Sequence, residues 1–170
     1  MNQPQSGDLI DRLLNLHPDS PTYQARHFRE KARQGTQDSY DTLFSPDLSL
    51  PLASRWLIAL YASALSQAQE LRDHYRSQAL THGMGEKVVQ AVQDGAMDGI
   101  DDAQLKAMLL FTKKLIEKPI EGDQAALLEL KAAGLTTPQV IIVAQLIAFL
   151  SYQTRLVAGL KALRNAEEQS

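Results

Sequence analysis

Glu70 and His74 are the residues of this chain whose types and spacing best suit proton transfer. In Glu70-Leu71-Arg72-Asp73-His74 a carboxylate and an imidazole stand four residues apart, which on a helix places them on one face. A His positioned by a Glu could move a proton, and Arg76, within a turn of Arg72 and Asp73, could hold a carboxylate. Tyr152 and Arg155, far along the chain, would be further anchors for such a ligand. The same residues also have a plain structural reading. A Glu–His pair at this spacing on an exposed helix contributes only a few tenths of a kcal/mol. His74 would then serve the fold or an interface, and Tyr152 and Arg155 would serve core hydrogen bonding or a subunit contact.

Other chemistry finds less support. The 170 residues include no cysteine, so the chain has no thiolate nucleophile, no disulfide and no sulfur ligand from Cys. His17 precedes Pro18 and His82 precedes Gly83, both at expected helix ends, where a cation suits the helix dipole. His27 neighbours Tyr23 and Glu30 at helical spacing but lacks a second pair of ligands for a metal. Asp94-Gly95-Ala96-Met97-Asp98-Gly99 has the outline of a calcium loop. Ala96 takes the place of its middle ligand and Leu105 that of the closing Glu, so it is rejected. Glycine-rich phosphate loops and nucleophile elbows are absent from the sequence. No metal and no cofactor are expected.

The elements that must position these residues read as helices throughout. Asp8 to Leu16 places Leu9, Ile10, Leu13 and Leu14 at helical spacing before Pro18. Ser20-Pro21 starts a helix carrying Tyr23, His27 and Phe28 and ending before Gly35. A short helix from Thr36 to Phe44 follows, and Pro51 opens a longer one with Trp56, Leu57, Leu60 and Tyr61 on a broad apolar face. Ser66-Gln67-Ala68-Gln69 matches a capping box and predicts the start of the helix bearing Glu70 and His74. Ends are expected at His82-Gly83 and Asp94-Gly95. Asp101 and Asp102 cap a helix running to Pro119, Asp123 to Ala133 is short, and Thr136-Thr137-Pro138 starts the longest, to about Leu163. No stretch alternates with period two, so strands are not expected. The expectation is one all-α domain, residues 1–170 with a core of about 8–163, built from about seven to nine helices.

Composition agrees with an ordinary soluble domain: 44% hydrophobic, 22% charged, net charge −3. The acidic balance argues against nucleic acid as a partner. The first residues lack a basic start and a continuous apolar run, and Val140 to Leu150 is short and broken by Gln145. A cytoplasmic protein without a membrane partner is therefore expected.

Residues 56–80, with a helix junction at Ser66, resemble the active-site segment of the carboxymuconolactone decarboxylase and alkylhydroperoxidase D superfamily. Its peroxidase branch begins the second helix with Cys-x-x-Cys-x-x-x-His and carries a Glu twelve residues before the first Cys. Laid on this chain without gaps, those positions fall on Trp56, Ala68, Leu71 and Tyr75, and all four functional groups are missing. A thiol at that helix start would ionise more readily; Ala68 and Leu71 can only pack, and Trp56 would fill the cavity or border a ligand. Ile147-Ala148-Phe149-Leu150-Ser151-Tyr152-Gln153-Thr154-Arg155 is similar to the C-terminal helix of peroxidase-related members, with Ser151 where Asn is common. With Leu43 to Pro46 and Glu70 to Tyr75, the chain looks most like a cysteine-less subfamily of carboxymuconolactone decarboxylase domain proteins. The stretch from Glu70 is also similar to the decarboxylase branch, whose Glu-x-x-x-His is followed by a basic residue and Ala-Leu, here Arg76, Ala79 and Leu80.

Three functions are compatible with this. The first is a structural or regulatory subunit without thiol peroxidase activity, working with a cysteine-containing relative; the resemblance implies homo-oligomers (dimer, trimer or hexamer). The second is a cofactor-free lyase or isomerase of a small organic acid or lactone, using Glu70 and His74 as catalytic residues with Trp56, Arg76, Tyr152 and Arg155 around the substrate. The third is a binding module whose pocket holds an apolar or acidic ligand beside Trp56.

Overall fold

The computed structural model describes residues 7–169, and among them every regular element is helical. Nine α-helices follow in order: α1 (Leu9–Leu13), α2 (Pro21–Phe28), α3 (Glu30–Leu43), α4 (Leu52–Leu65), α5 (Gln69–Thr81), α6 (Glu86–Asp94), α7 (Ala103–Glu117), α8 (Gln124–Ala132) and α9 (Thr137–Glu167). Asp8, Ser20, Asp102, Asp123 and Thr136 cap α1, α2, α7, α8 and α9 with side-chain oxygens, satisfying amide groups that the first turn leaves without partners.

The core is built around α4. Every residue from Arg55 to Ser63 is buried, so this helix is covered on all sides, by α5, α6, α7 and α9. α9 lies along it with Val143, Leu146, Ile147, Leu150 and Val157 inward, while Ile141, Gln145, Ala148, Tyr152, Arg155 and Gly159 face outward. By length and composition α9 could cross a bilayer, unlike the shorter run read from the sequence; half of its most apolar stretch is buried in the core.

Two local expectations are corrected. The capping box at Ser66 does not form: Ser66 is the C-terminal cap of α4, and α5 starts after Ala68 without a side-chain cap. The chain turns instead through Gln67 at φ 54°, a left-handed conformation that costs a non-glycine residue about 1–2 kcal/mol. The capping box stands at Thr136, whose hydroxyl accepts from the Gln139 amide while the Gln139 side chain accepts from the Thr136 amide. Gly35 does not end a helix either. The break falls at Arg29, and α3 runs through Gly35 because that glycine lies on an exposed face with helix on both sides.

Candidate functional site

The sequence-predicted residues divide among several places. Glu70 and His74 both lie on α5, but no hydrogen bond joins them among the described residues. The Glu70 carboxylate accepts from Lys161 Nζ of α9 at 2.5 Å, and this bond, ahead of the smaller opposing effect of burial, holds its pKa below the ordinary value. His74 turns to α3, where its Nε2 lies 2.9 Å from the Tyr40 hydroxyl. Burial, helped by the positive field of Arg12, lowers the His74 pKa to about 4. At neutral pH the imidazole is uncharged and paired with a phenol. That phenol is itself held protonated by burial.

Arg76 is engaged on the outer side of α5 by Glu86 and by Gln90 of α6, so its guanidinium ties two helices together. Tyr152 is 47% exposed on α9, and its hydroxyl is 2.9 Å from Thr36 Oγ1. Arg155, one turn further, donates to the Ser151 carbonyl and borders a different cavity, with Ser66 and Leu115. The structure thus does not gather these five polar residues around one ligand. None of the cavities that Tyr152 or Arg155 borders includes Glu70, His74 or Arg76.

Trp56 is the centre of what does come together. Its indole stacks on Phe44, with centroids 4.0 Å apart and planes 10° from parallel, and Tyr75 lies 6.1 Å away. Tyr40, His74 and His82 complete an aromatic cluster between α3, α4 and α5. Tyr75 is wholly buried; burial raises its pKa well above the ordinary phenol value, and its hydroxyl donates to Gln153 Oε1 at 2.5 Å. Leu71 is equally buried one turn before it. The two aromatic residues at the positions of the peroxidase pattern's Glu and His are therefore neighbours.

Arg55 holds this cluster in place and was not recognised from the sequence. It is fully buried without a carboxylate partner among the described residues, and burial lowers its pKa. Its Nε donates to the Leu50 carbonyl at 3.0 Å and its Nη1 to the Leu43 carbonyl at 2.5 Å. Leu43 is the last residue of α3, so the cation meets the negative end of that helix dipole. These two bonds fix both ends of the 44–50 connection and hold Phe44 over Trp56. The signal in the sequence was its isolation: Arg55 is the lone charged residue of α4. Gln153 was missed too, although it shares the inward register of Leu146, Leu150 and Val157.

No family model matches the chain, and no curated protein matches it. Its fold is that of the alkylhydroperoxidase AhpD core. The similar solved structures include the AhpD-core, peroxidase-related protein from Ralstonia eutropha JMP134 (TM-score 0.72, 19% identity, 90% of this chain and 83% of that one). A peroxidase-related protein from Silicibacter sp. TM1040 is also similar (TM-score 0.73, 14% identity, 93% and 85%). The all-α, AhpD-like architecture expected from the sequence is the one found.

Proposed function

We propose that this chain is a cysteine-less, peroxidase-related protein of the carboxymuconolactone decarboxylase type that has no thiol peroxidase activity of its own. It serves as a structural or regulatory subunit beside a cysteine-containing relative. The observation that carries this reading is Trp56 stacked on Phe44, with Tyr75 tilted against both rings. Where the peroxidase pattern puts a carboxylate and an imidazole, this chain has an indole and a phenol in ring contact. Its two half-cystine positions are Ala68 and the buried Leu71.

The outer face of α9 supports the assembly part of the reading. Ile141 and Tyr152 are about half exposed, and Ala148 and Gly159 on the same side are small enough for a second helix to approach closely. The lyase alternative loses its central pair, since Glu70 is held by Lys161 and His74 by Tyr40.

The test is sedimentation of this protein mixed with a cysteine-containing AhpD-fold protein from the same cells. A species heavier than either component is expected, lost in Ile141→Lys with the melting temperature unchanged. Separate sedimentation of the two at all ratios would overturn the proposal.

A further inference from the structure

A cavity of about 260 Å³ lies between the α2–α3 junction and α9, away from the aromatic cluster. Its chemistry is divided. Arg26, Arg29 and Arg33 line one side, and no carboxylate is among the lining residues. Ala25, Ala32, Leu156 and Leu160 supply the apolar wall. Tyr152 closes one end through its hydroxyl contact with Thr36 and separates this cavity from a second of about 500 Å³ beside Phe149.

The arginines are spaced three and four residues apart, and the single-residue break at Arg29 leaves all three on the cavity. Their positive charge is only partly answered. Asp8 pairs with Arg26 at 2.8 Å and, more loosely, with Arg33 at 3.7 Å. Asp11 lies 3.4 Å from Arg26 and is shared with His27. Arg26, whose side chain is only 5% exposed, keeps Nη1 without a hydrogen-bond partner, and buried Nε of Arg33 has none. Arg29 has no acceptor among the described residues. Two of the three guanidiniums thus share two carboxylates, one of which also serves a histidine, and the third has neither among the described residues.

We infer that this cavity is a binding site for a small apolar carboxylate, its acid group held by the arginines and its short chain lying on Leu156 and Leu160. A guanidinium offers a carboxylate paired donors. The volume lies just below the usual range for drug-sized ligands, which limits the chain to about eight carbons or one ring. Of the residues that carry the proposed function only Tyr152 borders this cavity, while Trp56 and Ile141 do not, so the inference does not rest on that reading.

Titration calorimetry with octanoate, octanol and acetate tests it on the whole protein, alone and as Arg29→Gln and Ala32→Trp. Arg29 is exposed and unpaired and Ala32 is exposed on α3, so both variants should fold. Octanoate is expected to bind the wild type, with octanol and acetate each at least about tenfold weaker, because each lacks one half of the recognition. Arg29→Gln should weaken octanoate by about tenfold and Ala32→Trp, which fills the cavity, should abolish binding. Octanoate failing to bind the wild type, octanol binding as well as octanoate, or both variants binding octanoate unchanged would each overturn the inference.

Discussion

Glu70 and Lys161 meet at 2.5 Å across α5 and α9, and in doing so they separate Glu70 from the histidine one turn along its own helix. A carboxylate bound to His74 would raise its pKa; here the imidazole is pushed down to about 4 and faces Tyr40. Replacing Glu70 by Gln should therefore leave the His74 titration unmoved in an NMR pH series. The stability cost should be below about 1 kcal/mol, since Lys161 is 40% exposed in the pair. A fall of the His74 pKa in Glu70→Gln would show that the two residues are coupled.

His74 should make the fold sensitive to mild acid. Its folded pKa is about 4 against an ordinary 6.5, so folding favours the neutral ring. The resulting stability is complete above about pH 6.5, declines as pH falls through this window, and is lost by about pH 4, a total of about 3 kcal/mol. Glu70, whose pKa is lowered, acts in a separate window: its contribution is present above its ordinary 4.5 and is lost below that. Urea unfolding at pH 7 and pH 4.5 should show a steeper loss for the wild type than for His74→Gln. Equal losses would contradict the burial of this imidazole.

Arg55 predicts the largest structural effect. Arg55→Met keeps much of the volume but leaves the Leu43 and Leu50 carbonyls without their donor. Removing a buried cation returns some desolvation energy, and stranding two carbonyls costs more; the net loss should be about 3 kcal/mol by chemical denaturation. The near-ultraviolet circular dichroism of Trp56 should change with it, because Phe44 loses its support.

Gln67 offers the opposite sign. It holds φ 54° at the α4–α5 turn, so Gln67→Gly should relieve strain and raise stability by up to about 1 kcal/mol. A decrease in the unfolding midpoint would show that the Gln67 side chain contributes more than its backbone costs.

How much of this was legible follows from what leaves a local trace. The helices were readable because their apolar period, prolines and caps act over a few residues; Asp102, Asp123 and Thr136 sit where the sequence placed them. The Ser66 box failed because its spacing matched while the backbone turned through Gln67. The absence of cysteine was plain from composition. The partners were not legible: that Glu70 would choose Lys161, 91 residues away, over His74 depends on how α9 lies against α5. Tyr40 and Phe44 joined the cluster through the connection that Arg55 pins, a long-range effect with no periodic signal.

The most direct test of the account is hydroperoxide consumption, measured for this chain alone and as it is titrated into a fixed amount of a cysteine-containing AhpD-fold partner. The account predicts no reduction by the chain alone, and in the mixture a change in the partner's rate that saturates at a fixed ratio. Enzyme-like reduction by the chain alone would contradict its lack of thiol peroxidase activity. A partner rate that stays constant at every ratio, with no complex formed, would contradict its role as a subunit.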